Sequence, residues 1–308
     1  MANEGETAFL TGGASGIGFA VTEMLVKRGF VVPPTNPSLS SKQSPWLTNP
    51  SMKVFVADSD VQGLRALGRK LNTDSHNQSV YTTEVDVAEW DSIERAFRYA
   101  VGAFGRVDYV FPIAGIGEKR SFPNKPKSDE FKKPDLSVIE VNEIGVIYTV
   151  SLAVQHFRRL EKNKLGFKGR IIAVASVCGF YIHTTIPLYT AAKHAVVGLT
   201  RSYGKILAEE GITFNAVCPN KIRTNIGNAA GYEAAEKAGV LVPMEKLVEC
   251  FESLLSNGEH KDLSGECFEV APNLGARIVP KTEFVNEESK ISADITYERS
   301  HYLHEVVE

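Results

Sequence analysis

The stretch TAFLTGGASGIG, residues 7–18, joins a short apolar run to a glycine-rich turn. The first five residues have the composition of a β-strand. Glycine supplies the backbone freedom that such a turn needs, and it lets a phosphate group approach bare main chain at the positive end of a helix. The stretch therefore predicts a strand, a phosphate-binding turn over Thr11–Gly18, and a helix that follows at once.

The rest of the chain alternates in the same way. Strands are predicted at Thr7–Thr11, Val54–Ala57, Val80–Val85, Val107–Phe111, Arg170–Ala175, Ile212–Val217 and Cys267–Val270. Helices are predicted near residues 17–29, 61–73, 89–104, 134–160, 188–209 and 243–257. This alternation implies right-handed crossovers and a parallel sheet covered on both faces. We expect an α/β, doubly wound (Rossmann) fold of about seven strands, with ligands bound where the strand order reverses.

We expect a dinucleotide-binding domain over residues 1–275 and a C-terminal extension over residues 276–308. Residues 31–52, with five prolines and five serines, interrupt the domain where a few residues normally suffice. This insertion is either a surface loop that the core does not need or a retained intron. The polar extension either packs on a neighbouring subunit or remains mobile.

Composition narrows the class of protein. The 308 residues carry a net charge of -3, and 43% are hydrophobic, which gives no electrostatic reason to bind nucleic acid. No apolar run approaches the roughly 20 residues of a membrane span, and the amino terminus does not resemble a secretion signal. The four cysteines lack metal-site spacing and are expected to be buried, reduced thiols. We expect a cytoplasmic protein with no metal, membrane or nucleic-acid partner.

Two aspartates follow predicted strands. Asp58 ends the second strand, where its carboxylate can accept hydrogen bonds from the adenosine ribose and would repel a 2′-phosphate. NAD is therefore favoured over NADP. Asp58 follows the glycines by about twice the usual interval of roughly 20 residues, and the insertion accounts for the excess. Asp86, after the third strand, is a candidate for the adenine amino group. Helix capping is the alternative role for both aspartates.

A candidate catalytic group lies on the helix predicted at residues 188–209. Tyr189 and Lys193 are four residues apart and share one helical face. A nearby ammonium favours the ionised form of a phenol, so Lys193 is expected to lower the pKa of Tyr189. Ser176, just past the fifth strand, can hold a substrate oxygen.

Together, Thr11–Gly18, Asn142, Ser176, Tyr189 and Lys193 resemble the short-chain dehydrogenase/reductase family in order and spacing. The resemblance covers most of residues 5–272. Within the family, residues 189–202 and the Asn-Ala-Val-Cys-Pro run at 215–219 are most similar to NAD-dependent 15-hydroxyprostaglandin dehydrogenases and to fungal relatives of those enzymes.

The resemblance implies roles for individual side chains. Tyr189 would act as general acid or base, Ser176 would orient the substrate oxygen, and Lys193 would also bind the nicotinamide ribose. Asn142 would hold a water in a proton relay. The cofactor-binding residues implied in this way are Gly12, Ser15, Gly16, Ile17, Gly18, Asp58, Asp86, Val87, Ala114, Gly115, Tyr189, Lys193, Pro219, Ile222 and Thr224.

The chain departs from the family pattern at three places. Pro112-Ile113-Ala114-Gly115 replaces Asn-Asn-Ala-Gly, which removes an amide side chain and a backbone donor that would stiffen the cofactor loop. Asn220 replaces a glycine, and we expect it to adopt a positive φ. Ile186 replaces a polar side chain that assists substrate binding in the prostaglandin enzyme.

The expected reaction is the NAD(H)-dependent interconversion of a lipophilic secondary alcohol and its ketone. The alternatives are an NADPH-dependent ketoreductase of secondary metabolism and a catalytically idle dinucleotide-binding protein. The substrate pocket is expected to draw on residues 178–186 and 225–242, with residues 227–239 as a mobile lid. A homodimer or homotetramer is expected through the helices at 134–160 and 188–209, because the family commonly associates through that pair.

Overall fold

The computed structural model describes residues 5–27, 52–72, 78–119, 122, 131–256 and 258–304. The insertion at residues 31–52 lies outside the described part of the chain, apart from Met52. Met52 leads into the second strand and is buried.

Within these residues, eight strands form one sheet in the order β3-β2-β1-β4-β5-β6-β7-β8. The strands are β1 Thr7–Thr11, β2 Lys53–Asp58, β3 Val80–Glu84, β4 Tyr109–Pro112, β5 Gly169–Val174, β6 Ile212–Pro219, β7 Cys267–Ala271 and β8 Gly275–Ile278. β1 to β7 are parallel to one another, and β8 is antiparallel to β7. The strand order reverses between β1 and β4, so the carboxyl ends of these two strands flank the crevice where such folds bind ligands.

Helices cover both faces of the sheet. They are α1 Gly16–Lys27, α2 Val61–Leu71, α3 Trp90–Phe104, α4 Ser137–Ile139, α5 Gly145–Arg158, α6 Pro187–Glu209, α7 Ala229–Lys237, α8 Met244–Leu255 and α9 Glu287–Ser300. One apolar core holds side chains of α3, α5 and α6, and a second holds side chains of α1, α2 and α8. Because helices cover both faces of the sheet, the central strands carry apolar side chains on both sides. The predicted α/β, doubly wound fold is confirmed.

Three differences from the sequence-based elements stand out. An eighth strand, β8, pairs antiparallel with β7 and begins at residue 275, where the domain was expected to end. The lid segment contains the helix α7. The extension forms α9, whose Tyr297 hydroxyl lies 3.1 Å from Glu209 Oε1 on α6. Part of the extension therefore contacts its own chain, a possibility not considered from the sequence.

The helix predicted at residues 134–160 is present but irregular. α4 and α5 are joined by one π-helical turn, Glu140–Ile144. Ser137–Arg158 is long and apolar enough to span a bilayer, with a mean hydropathy of 1.4, but half of its most apolar window is buried in the protein. Because α5 packs on β4, β5 and α3, it is a core helix of the domain.

All four cysteines are buried and unpaired, as expected from the sequence. Cys178 follows Ser176, and Cys218 lies on β6. Cys250 lies on α8, and Cys267 begins β7.

A buried polar cluster lies at the amino ends of β1 and β4, opposite the glycine-rich turn. The Tyr109 hydroxyl donates a hydrogen bond to Glu6 Oε1 over 3.0 Å. Burial raises the pKa of Glu6 to about 7, although this hydrogen bond acts in the opposite direction. Burial likewise lowers the pKa of His156 on α5 to about 4, and nearby arginines add to this effect. The two groups therefore give the folding equilibrium opposite pH dependences.

The Glu6→Gln substitution tests this cluster. Between about pH 4.5 and 7, Glu6 is protonated in the folded state and ionised in the unfolded chain, so its contribution to stability falls as the pH rises. Glutamine keeps an acceptor for Tyr109 and does not titrate. The stability gain of Glu6→Gln over wild type, measured by urea unfolding, should therefore grow from pH 5 to pH 8 by up to about 3 kcal/mol.

The control is Glu259→Gln at an exposed position. A gain for Glu6→Gln that stays constant over this pH range would contradict the raised pKa of Glu6.

Candidate active site

The glycine-rich turn packs directly on the segment that follows β4. Gly12 has a φ of 76°, and a Cβ atom there would lie 2.5 Å from Ala114 Cα. A Cβ atom on Gly18 would lie 2.0 Å from the Gly12 carbonyl oxygen. Side chains at these positions would force apart the main chain at the point where β1 and β4 diverge. The turn is therefore held close to the crevice, as the sequence predicted.

The turn has the character of a dinucleotide phosphate site. Its last residues, Gly16, Ile17 and Gly18, form the first turn of α1, whose free N–H groups carry a partial positive charge. The first turn contains no acidic side chain that would compete for this end of the helix. Ser15 lies immediately before α1. These residues fit the pyrophosphate of a nicotinamide dinucleotide.

Asp58 is placed at the carboxyl end of β2, next to the turn. One carboxylate oxygen accepts a hydrogen bond from Ala14 N over 2.8 Å, and the other accepts one from Asp60 N over 2.9 Å. The side chain therefore anchors the glycine-rich turn, a role that the sequence did not reveal. Its position at the strand end still suits the predicted contact with the adenosine ribose.

Asp86 closes the turn that leads from β3 to α3. Its carboxylate accepts a hydrogen bond from Ala88 N over 3.0 Å, and its own N–H group donates to Ser92 Oγ over 3.1 Å. The neighbouring side chain of Val87 is buried against Gly145, where an added Cβ atom would lie 2.8 Å from Val87 Cγ2. Because Ala88 precedes α3, these contacts close a local turn and do not cap the helix. The adenine contact stays a prediction.

Proline at position 112 does not leave the segment after β4 loose. The Thr11 hydroxyl accepts a hydrogen bond from Ile113 N over 3.3 Å. Asn142, in the π-helical turn, is fully buried and clamps Ile116: its amide nitrogen donates to Ile116 O over 2.9 Å, and its amide oxygen accepts from Ile116 N over 2.8 Å. Thr11 and Asn142 therefore hold the segment that contains Ala114 and Gly115.

The structure brings Ser176, Tyr189 and Lys193 together at the carboxyl end of β5. Tyr189 and Lys193 lie in the first two turns of α6, and Lys193 Nζ is 5.6 Å from the centre of the Tyr189 ring. The Lys193 ammonium is buried and donates to Val174 O, the last carbonyl of β5, over 3.0 Å. Ser176 Oγ accepts from Cys178 N over 3.1 Å.

The expected effect of Lys193 on the phenol is not observed. Burial raises the pKa of Tyr189 to about 12, and a hydrogen bond with Ser176 acts in the opposite direction. Burial also lowers the pKa of Lys193 to about 8. Desolvation outweighs the attraction that the sequence suggested, because both groups are withdrawn from water. At neutral pH the phenol is protonated and most of the ammonium is charged.

Residues after β6 form one wall of the site. Ile222 pairs with Val242 in an isolated β-bridge, and Thr224 hydrogen-bonds through its backbone and side chain to the Tyr232 hydroxyl. The expectation that Asn220 has a positive φ is wrong, since among the described residues only glycines do. The Asn220 amide instead donates to Glu269 Oε1 over 2.8 Å, which ties the end of β6 to β7.

Sequence reasoning missed two side chains at the site. Glu118 Oε2 accepts a hydrogen bond from Tyr189 N over 2.8 Å and so caps the start of α6 from a distant loop. Tyr232, on α7, holds the loop that contains Thr224. Glu118 is 71 residues from its partner, and no local pattern signals that contact. Tyr232 stands within an alanine-rich helix with no distinguishing spacing.

The sequence profile described as short chain dehydrogenase matches residues 46–234, well over half of the chain. A short-chain dehydrogenase/reductase of Penicillium rubens, prx7, is 31% identical over 180 residues, covering 56% of this chain but only 63% of that relative. The 3beta-hydroxysteroid dehydrogenase 2 of Eggerthella lenta is 30% identical over 223 residues, covering 72% of this chain and 73% of that relative.

The 15-hydroxyprostaglandin dehydrogenase [NAD(+)] of Rattus norvegicus is 25% identical over 224 residues, covering 72% of this chain and 70% of the relative. Among solved structures, a 3-ketoacyl-(acyl-carrier-protein) reductase from Brucella melitensis complexed with NADH has a TM-score of 0.68 at 22% identity. It covers 88% of this chain and 98% of its own, and it supports the fold alone. Fold, site geometry and sequence agree: the chain belongs to the short-chain dehydrogenase/reductase family of oxidoreductases.

Proposed function

We propose that the protein interconverts a lipophilic secondary alcohol and its ketone with NAD(H), through Tyr189, Lys193 and Ser176. The observation that carries the proposal is the meeting of these three side chains at the carboxyl end of β5, one strand from the crevice that the glycine-rich turn borders. Each group alone is unremarkable. A buried lysine beside a partly buried tyrosine is costly and is typical of functional sites.

The nicotinamide ring supplies the hydride chemistry when bound. Tyr189 holds the proton that passes between the phenol and the substrate oxygen. Ser176, hydrogen-bonded with Tyr189, orients that oxygen. Lys193 keeps a positive charge near the phenol at neutral pH, and its remaining N–H groups suit the nicotinamide ribose. Positioned proton transfer of this kind is typically worth about 10² to 10⁴ in rate.

The ionisation state of Tyr189 bears on direction. A pKa of about 12 leaves the phenol protonated at neutral pH, which is the form that donates a proton to a ketone. Alcohol oxidation needs the phenolate. While the pH stays below the pKa of Tyr189, each unit of increase in pH raises the phenolate population about tenfold. The protonated phenol therefore suits the proton donation that ketone reduction needs at neutral pH, and the rate of alcohol oxidation should rise with pH.

Exposed side chains in the two predicted pocket segments, residues 178–186 and 225–242, support an apolar substrate. Tyr181 and Ile182, in the first predicted pocket segment, are 51% and 80% exposed, and Ile226 and Val240, in the second, are 49% and 50% exposed. Large apolar side chains left in water within both predicted pocket segments support binding of an apolar substrate. The names of two relatives denote hydroxylated lipids, a hydroxysteroid and a hydroxyprostaglandin.

We propose a homodimer or homotetramer in the cytoplasm. A groove between α5 and α6 is lined by apolar side chains and by polar ones: Ile147, Val150, Val154 and Leu199, with Ser151, Gln155, Arg158 and Tyr203. Ile147 is 39% exposed although it belongs to a helix that is otherwise a core element. This apolar groove suits a second copy of the chain.

Tyr189→Phe tests the catalytic assignment. Phenylalanine keeps the ring and removes the transferable proton, so turnover of secondary alcohols and ketones should fall by at least about 10²-fold. The NADH dissociation constant should stay within about twofold. The measurement is NADH absorbance across a panel of lipophilic alcohols and ketones.

The matched control is Tyr99→Phe, which removes a hydroxyl from an exposed residue of α3. Near-normal turnover by Tyr189→Phe would refute the mechanism. A wild-type protein that binds NADH but shows no turnover across the panel would favour the idle dinucleotide-binding protein.

Asp58→Asn tests the cofactor preference. The Asp58 carboxylate should make wild type prefer NADH over NADPH by more than tenfold, because it repels the 2′-phosphate. Asparagine keeps an acceptor for Ala14 N and removes the charge, so the preference should fall about tenfold. The ratio of the NADH and NADPH dissociation constants measures it.

The control for charge alone is Asp91→Asn, at an exposed position on α3. A wild-type protein that prefers NADPH by more than tenfold would contradict the assignment and favour the NADPH-dependent ketoreductase.

A further inference from the structure

The loop after β6, residues 222–227, is closed around one buried phenol. The Tyr232 hydroxyl accepts hydrogen bonds from Gly227 N over 3.0 Å and from Thr224 N over 3.2 Å, and it lies 3.2 Å from Thr224 Oγ1. Tyr232 is only 6% exposed. A single oxygen atom on α7 therefore joins both ends of a four-residue segment of this loop.

The ring of Tyr232 fills the space inside the loop. A Cβ atom on Gly227 would lie 2.5 Å from the Tyr232 hydroxyl oxygen, so the main chain passes directly over the phenol. Lys221 Nζ and Arg223 Cζ lie 5.8 Å and 5.4 Å from the ring centre, within range of cation–π attraction. Arg223 also pairs with Glu236 on α7 over 2.7 Å.

The closed loop touches the elements that build the cofactor and catalytic sites. A Cβ atom on Gly16, in the glycine-rich turn, would lie 3.2 Å from Thr224 Cγ2. A Cβ atom on Gly117, after β4, would lie 3.1 Å from Ile226 Cγ2. Tyr232 is also one of the groups that raise the pKa of Tyr189. The loop therefore bridges the crevice from the first turn of α1 to the segment after β4.

We propose that Tyr232 is a positioning residue whose hydroxyl latches residues 222–227 over the dinucleotide site and thereby controls dinucleotide release. The identity of the ligand rests on the proposed function. The latch itself rests on the contacts of Tyr232 with Thr224 and Gly227.

The latch has a simple energetic basis. Opening the loop exposes two backbone N–H groups that share the Tyr232 oxygen as acceptor, and it withdraws Thr224 from the glycine-rich turn. Without the hydroxyl, the closed state leaves these two N–H groups without that acceptor, and unpaired buried donors are costly. A smaller fraction of molecules then has the closed loop. The apparent dissociation constant rises in proportion, because only the closed form binds the dinucleotide tightly.

Tyr232→Phe tests the latch, since it keeps the ring and removes only the oxygen. Fluorescence titration and stopped-flow displacement should give an NADH dissociation constant and dissociation rate that both rise about 5- to 20-fold. In the protein without added dinucleotide, amide hydrogen exchange in residues 222–232 should accelerate about fivefold or more, and the rest of the chain should exchange as in wild type. The matched control is Tyr99→Phe at an exposed position of α3, for which all three values should stay within twofold.

An NADH dissociation constant and dissociation rate within twofold of wild type for Tyr232→Phe would overturn the latch. Accelerated exchange across the whole domain would also overturn it, because Tyr232 would then act as a general stabilising residue. Neither measurement needs turnover. A wild-type protein that binds NADH without turning over any alcohol or ketone would therefore contradict the proposed reaction alone.

Discussion

The buried ammonium of Lys193 is the interaction on which the site depends. Its Nζ atom donates to the last carbonyl of β5, and burial lowers its pKa from 10.5 to about 8. That shift corresponds to about 3 kcal/mol of desolvation. The cost is tolerated because α6 begins above the carboxyl end of a central strand, where the Val174 carbonyl accepts a hydrogen bond from the ammonium. The same placement sets Tyr189 one helical turn earlier and next to Ser176.

The loops around this centre are held by side chains from distant parts of the chain. Asn142 binds the segment after β4 through two hydrogen bonds to Ile116. Glu118, in the same segment, accepts a hydrogen bond from Tyr189 N and so joins the segment to the start of α6. Tyr232 holds the loop after β6 against the same segment. The site is therefore a set of loops on rigid strands, held in place by polar side chains, of which Asn142 and Tyr232 are buried. Fixing loops in this way preorganises the site before substrate arrives.

The sequence predicted the parts of the fold that repeat locally. Seven of the strands, the main helices and the glycine-rich turn follow from apolar runs and glycine spacing. Tyr189 and Lys193 follow from their helical spacing, and Ser176 follows from its place after a strand. Asn142 and the roles of all four side chains came from the family resemblance. β8 was not predicted because GARI at residues 275–278 is mostly exposed and lacks an apolar face. The helix α9 was not predicted because it has no buried face.

Electrostatic effects were the hardest to predict. The spacing of Tyr189 and Lys193 correctly indicated that they are neighbours, but not that burial would dominate both pKa values. The contacts of Glu118, Tyr232 and Asn220 each join residues from separate elements or loops. Such contacts depend on how the loops meet after folding, and a single sequence carries no periodic signal for them.

The most direct test of the account is the titration of Lys193 itself. In protein labelled with carbon-13 and nitrogen-15 lysine, the NMR signal of the Lys193 side chain can be assigned with the Lys193→Arg variant and followed with pH. We expect a midpoint near pH 8, well below the ordinary lysine pKa of 10.5. A midpoint at pH 10 or above would show that the ammonium is not desolvated beside Tyr189, and would contradict the buried centre on which the mechanism is built.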